Sequence, residues 1–158
     1  LESDYTPSVI VLSRQKVPYI NPDNSKKNKC KNGAYLVNLT SHESKVTLIA
    51  SGTEVELALK VQDKLKENNI HSKVVSMPCM ELFDKQSEDY KKDLLEEDSL
   101  VVTLEAGSIS SWQKYIKDKG LNFGIDQFGE SAPYKEVYDH FNLTEEKITV
   151  LIQKKLRE

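Results

Sequence analysis

Three times along this 158-residue chain an apolar run ends and a helix-opening motif follows at once. Val46–Ala50 leads into Ser51-Gly52-Thr53-Glu54-Val55-Glu56-Leu57-Ala58. Lys73–Met77 leads into Pro78 and then Phe83-Asp84-Lys85-Gln86, and Leu121–Ile125 leads into Phe128-Gly129-Glu130-Ser131-Ala132-Pro133. Strand-then-helix, repeated, is the pattern of a sheet whose neighbouring strands run parallel, because parallel neighbours need a crossover. The expected fold is therefore α/β: three layers, an open and mostly parallel sheet with helices on both faces. Such sheets meet ligands or neighbouring domains at the carboxyl edge of their strands.

The individual elements follow from periodicity and punctuation. Val46–Ala50, apolar but for Thr47, suits a strand buried on both faces. Thr53 and Glu56 form a Thr-x-x-Glu capping box for a helix whose inward stripe is Leu57, Ala58, Val61 and Leu65, stopping at Asn68-Asn69. Ala34–Leu39, Lys73–Met77, Leu100–Leu104 and Leu121–Ile125 read as further strands. Glu81–Leu95 reads as two short helices, the second capped by Ser87. Ser110 or Ser111 is expected to open a helix carrying Trp112, Tyr115 and Ile116 and stopped by Gly120. Pro133 suits the first turn of a helix through Phe141. Thr144 is expected to cap the last helix, with Ile148, Leu151, Ile152 and Leu156 facing inward. Upstream, Val9–Ser13 is a short β-branched run that reads as a buried strand. It is followed by Pro18, Pro22 and a Lys/Asn-rich stretch, Asn21–Gly33, that breaks all periodicity and reads as a linker or surface insert.

Charge and composition narrow the function. A formal net charge of −3 carries no nucleic-acid footprint, and Lys26–Lys31 has no interleaved aromatic, so it reads as a solvated insert. No apolar run reaches membrane-spanning length. Cys30 and Cys79 match no metal spacing and read as free thiols in a reducing compartment, consistent with a cytoplasmic protein. His42, His71 and His140 share no helix turn and offer no zinc site. The first residue is Leu1, not Met, and the chain is expected to be a piece of a longer polypeptide.

Four features carry possible chemistry. Ser51-Gly52-Thr53 is either an anion-holding loop at a helix N-terminus or a tight turn with a cap; it lacks the glycines and lysine of a phosphate loop. Glu105, in Glu105-Ala106-Gly107, stands at a strand's carboxyl end, where a second carboxylate such as Glu130 would be needed for acid–base work. The other reading is a carboxylate bonded to loop groups or to a neighbouring domain. Trp112 and Tyr115 favour core or interface packing over an exposed platform. Arg14 emerges at the carboxyl end of the Val9–Ser13 run. A guanidinium there suits two-point recognition of phosphate or carboxylate, and a solvated surface arginine is an equal alternative on sequence alone.

Taken in order, Ser51 to Ala58, Val75-Ser76-Met77-Pro78, Phe83 to Gln86, Glu105 to Gly107 and Phe128 to Pro133 resemble the C-terminal domain of transketolases. Pro7-Ser8 through Leu12-Ser13-Arg14-Gln15 resembles the last strand of that family's pyrimidine-binding domain. The resemblance implies two parts: residues 1–32, the tail of the preceding domain plus linker, and residues 33–158, the C-terminal domain. It implies a homodimeric, cytoplasmic enzyme that uses thiamine diphosphate with a divalent metal, Mg or Ca. That enzyme moves a two-carbon ketol unit between sugar phosphates in the pentose phosphate pathway. It implies no catalytic, cofactor or metal ligand in this chain, which has no Gly-Asp-Gly metal motif. The resemblance assigns one role, to Arg14, as a sugar-phosphate contact. Partners would be the remaining domains and a second subunit, with no nucleic acid and no membrane. An independent small-ligand module, or the equivalent domain of a ketoacid dehydrogenase subunit, are the alternatives.

Overall fold

A computed structural model describes residues 7, 9, 12–13, 15–20, 28–96, 98–116 and 119–158. Its elements are β1 (Tyr35–Leu39), β2 (Val46–Ala50), α1 (Glu54–Glu67), β3 (Ser72–Ser76), α2 (Met80–Asp84), α3 (Glu88–Leu95), β4 (Leu100–Leu104), β5 (Leu121–Phe123), α4 (Tyr134–His140) and α5 (Glu145–Lys155), with 3-10 turns at Lys29–Asn32 and Gln113–Tyr115. The sheet order is β1-β3-β2-β4-β5. Only β1 is antiparallel; β3, β2, β4 and β5 run parallel. The expected α/β class, mostly parallel and open, is what the structure has.

Pleat alternation builds the three layers. Val46, Leu48 and Ala50 of β2 join Val74, Val102 and Leu104 on one face, packed under Leu57, Ala58, Val61 and Leu65 of α1 and Ile148 and Ile152 of α5. Ile49 joins Val75 and Val101 on the other face, under Phe83 of α2, Leu94 of α3, Trp112 and Tyr115. Thr47 shares that second face, and its buried hydroxyl bonds Ser99 Oγ at 2.7 Å. Helices α1 and α5 therefore cover one side, and α2 and α3 the other.

Several local expectations are corrected. Thr53 makes no capping box: its backbone is helical and its hydroxyl donates to Glu54 Oε1 at 2.6 Å, while Glu56 turns out to Lys60 at 2.8 Å. Thr144 precedes α5 without a side-chain cap bond. The inward stripe of α5 is Ile148, Thr149 and Ile152, with Leu151 44% and Leu156 36% exposed. No α-helix carries Trp112 among the described residues, only a 3-10 turn. There the Ser108 hydroxyl accepts from the Ser110 N–H, and Asp126 accepts from the Ser108 hydroxyl and the Ile109 N–H. These bonds tie the turn to Asp126 in the loop after β5. Gly120 accordingly stops no helix; a Cβ there would meet Val101 O at 2.9 Å. Pro133 sits one residue before α4 rather than inside it. Val9 and Leu12 are 89% and 81% exposed and in no strand; Ile10 and Val11 lie outside the described residues. The buried strand expected at 9–13 is thus not formed by its described residues, which have no sheet neighbour to pair with.

Gly33 is required by geometry. Its φ is +82°, and a Cβ would meet Phe83 N at 2.1 Å and Cys79 O at 2.4 Å. Gly52 also has a positive φ, +53°, but faces open space. Gly33→Ala should therefore lower the unfolding free energy by about 2–4 kcal/mol, combining backbone strain with a clash against backbone. Gly52→Ala should lower it by only about 1–2 kcal/mol. Urea unfolding of both variants checks this; equal losses would show that the Gly33 contact yields freely.

Candidate functional site

The parallel strands end level. Ala50 is in register with Ser76 on one side and Leu104 on the other. Ser51, Met77 and Glu105 therefore leave the sheet side by side. The chain runs from β2 to β3 on one side of β2 and then crosses to β4 on the other, so this edge is the topological switch point, where open α/β sheets form a crevice. A cleft of about 390 Å³ lies there, walled by Ser51, Met77, Pro78, Glu105, Ser111 and Trp112 among others.

Glu105 is its central ionisable group. Ser51 Oγ donates to Glu105 Oε2 at 3.3 Å. Burial pushes the Glu105 carboxyl above its usual value, and the nearby Glu54 carboxylate adds to the rise. Bonds from Ser51 and the Trp112 indole hold it partway back. The second carboxylate is thus Glu54. Glu130, the expected partner, is exposed on the loop before α4.

Glu54 opens α1 and is 5% exposed. Its Oε1 accepts from Thr53 Oγ1 and from the Tyr138 hydroxyl, both at 2.6 Å. A carboxylate suits a helix N-terminus, where unpaired N–H groups carry partial positive charge. Burial, then the bond to Glu54, raises the Tyr138 phenol well above its ordinary value, so it stays a donor. Tyr138 was not singled out from sequence; its signal was a tyrosine four residues after Tyr134 on one helix face, with the rings 6.1 Å apart.

The motif Phe83 to Gln86 closes the opposite layer. Asp84 accepts from Lys114 Nζ at 2.5 Å and from the Tyr115 hydroxyl at 2.8 Å. Lys114 holds the Asp84 carboxyl below its usual range, and the bond with Asp84 carries Lys114 up to about 12. Trp112 and Tyr115 are 2% and 8% exposed, so the expected packing role holds. The Phe128 to Pro133 motif is an exposed loop, with Phe128 97% exposed.

This edge is built for acceptors and hydroxyls. None of the lining residues of the cleft is Lys, Arg or His, so it offers nothing to neutralise a diphosphate, and Ser51-Gly52-Thr53 serves as a turn beside two carboxylates. Among the described residues no three His, Cys, Asp or Glu are placed to hold a metal. Cys30 and Cys79 are free, and no described helix is long and apolar enough to cross a membrane. Arg14, the predicted substrate contact, lies outside the described residues.

The family model for the transketolase-like TK C-terminal domain matches residues 33–144. The chain is 41% identical over 146 residues to the chloroplastic transketolase of Solanum tuberosum, covering 90% of this chain and 19% of that protein. Among solved structures, the transketolase of Campylobacter jejuni superposes with a TM-score of 0.74 at 36% identity, over 84% of this chain and 20% of that one. A Pichia stipitis transketolase variant in complex with fructose 6-phosphate gives 0.81 at 29%, over 91% and 20%. The chain thus spans about a fifth of the length of these relatives.

Because folding raises the Glu105 carboxyl, its ionised form costs stability above the folded-state value, and the cost vanishes below the unfolded-state value near 4.5. Glu105→Gln should raise the urea midpoint at pH 7, with the gain over wild type shrinking toward pH 4. A gain that stays constant across that range would contradict the charge argument.

Proposed function

The chain belongs to the family of transketolase-like C-terminal domains, and from that premise we propose that it is the C-terminal part of a thiamine-diphosphate-dependent transketolase. The complete enzyme transfers a two-carbon ketol unit between sugar phosphates. The family match across residues 33–144 carries this reading, and the fructose 6-phosphate complex of the Pichia relative supports the substrate class. Residues 33–158 form the domain itself, and residues 1–32 are the end of the preceding pyrimidine-binding domain with its linker. Thiamine diphosphate and its Mg or Ca belong to the domains upstream, since the donor set at this sheet edge does not suit them. The working enzyme is a homodimer in the cytoplasm.

In this reading the chain alone folds and assembles but does not catalyse. Supplied with thiamine diphosphate, magnesium and a ketose–aldose phosphate pair, it should give no ketol transfer in a coupled assay; turnover above the enzyme-free rate would overturn the assignment. Calorimetry against sugar phosphates separates this from an independent binding module, which would release heat where an assembly domain does not.

Arg14 is the residue of this chain that meets substrate, binding the sugar phosphate. In the complete enzyme, Arg14→Ala should raise KM for phosphorylated donors roughly ten- to a hundredfold, the loss of about 1.5–3 kcal/mol for a charge-assisted contact. KM for an unphosphorylated ketose should barely move. Equal effects on both donors would remove the assignment.

A further inference from the structure

The Lys/Asn-rich stretch, read from sequence as a solvated insert, ends in an ordered turn. Lys29–Asn32 is a 3-10 turn that runs through Gly33 into β1. The Gly33 N–H donates to Cys30 O at 2.9 Å, and the Cys79 N–H donates to Gly33 O at 3.0 Å. The Tyr90 hydroxyl donates to Ala34 O at 2.7 Å and accepts from Asn32 Nδ2 at 3.4 Å. Lys29 and Lys31 therefore rise from a backbone tied to α3 and to the start of α2.

A hollow of about 550 Å³ opens beside this turn. Lys29, Lys31, Asn28 and Asn32 supply its polar lining, and Tyr35, Leu36 and Tyr90 supply the rest. The aromatic residues that the basic stretch itself lacks thus come from β1 and α3. Tyr90 is held firmly: its hydroxyl is committed to Ala34, and its ring stands edge-on to Phe83 with the centroids 6.3 Å apart. Tyr35 packs against the main core. No Asp or Glu lines the hollow, although the chain carries a net charge of −3. Among the described residues Lys31 makes no ion pair. The sign of the hollow is opposite to that of the cleft beside Glu105.

Size and donor set together define a ligand class. The volume is that of a site for a small organic molecule. Ammonium and amide groups donate to an anion, and bonds between a charged donor and a charged acceptor are the strong ones. The tyrosine rings and Leu36 favour a flat apolar body. We propose that this hollow binds a small aromatic anion, with its ring against Tyr35, Leu36 and Tyr90 and its carboxylate or phosphate at Lys29 and Lys31. A sugar phosphate shares the anionic group but brings a polyol where the rings call for an apolar face, so it is not the ligand of this site. The proposal stands independently of the transketolase reading, because every residue it uses belongs to the described domain and none to the sheet-edge cleft.

The test is an amide NMR titration of the full chain with phenyl phosphate, set against inorganic phosphate, phenol and fructose 6-phosphate. Phenyl phosphate should shift the amides of residues 28–36 and of Tyr90 and saturate, with a Kd about tenfold or more below that of each comparison compound. Lys29→Gln combined with Lys31→Gln should weaken phenyl phosphate about tenfold or more and leave the urea midpoint unchanged. Lys154→Gln combined with Lys155→Gln, an equal change of net charge on α5, should leave binding as in wild type. Tyr35→Leu, which keeps apolar bulk but removes the ring, should weaken phenyl phosphate and leave inorganic phosphate unaffected. Absence of saturable binding, or shifts confined to other parts of the chain, would overturn the proposal. So would equal losses from the two lysine pairs, which would show a general charge effect. Inorganic phosphate or fructose 6-phosphate binding as tightly as phenyl phosphate would also overturn it, because the rings would then contribute nothing.

Discussion

Everything in this domain depends on β2 being covered on all four sides. Its five residues are buried, β3 and β4 flank it in matched register, and helices lie on both faces. Burial of that kind leaves no room for a polar side chain without a partner. The one polar residue, Thr47, has its hydroxyl answered by Ser99 and the Leu95 carbonyl. Alternation along β2 then sends Val46, Leu48 and Ala50 to the α1–α5 layer and Ile49 to the α2–α3 layer. The level ends of the three parallel strands follow from the same register, and the crevice beside Glu105 follows from the level ends.

Features that reside in one element were legible in the sequence. The largely apolar run of β2, the four-residue spacing of Leu57, Val61 and Leu65, and the Ser87 cap, whose hydroxyl accepts from the Tyr90 N–H, all depend on local chemistry alone. Features decided by competition between distant groups were not. Thr53 looked like a cap because of its spacing to Glu56. The structure instead turns its hydroxyl to Glu54, which also meets Tyr138 from 84 residues away. At Trp112 the structure has a 3-10 turn held from afar: Asp126, 17 residues beyond Ile109, accepts that residue's N–H. Leu151 counted as inward by type, although the side of α5 that meets α1 is set by Ile148 and Ile152.

The candidate site was half legible. Glu105 was identifiable as a carboxylate at a strand end, but its acidic neighbour was misplaced at Glu130. Nothing in the sequence says that α4 stands beside the start of α1 while the loop before it points outward. Three of the motifs that carry the family likeness close the sheet's edge, while Phe128 to Pro133 stays an exposed loop. Ser51 bonds Glu105, Thr53 and Tyr138 bond Glu54, and Lys114 and Tyr115 bond Asp84. Glu105, Glu54 and Asp84 are thus each answered from within the domain.

A group already bonded within its own domain is a poor instrument for an external substrate. Recruiting it would break a bond between neighbouring elements, and a half-buried carboxylate left unpaired is costly. The cleft at the switch point also has the wrong sign for a phosphate: its carboxylates face no cation among its lining residues, and the Ser51 hydroxyl is already given to Glu105. Chemistry that recognises anions must therefore come from outside the sheet, on a part of the chain whose polar groups the fold has not already paired.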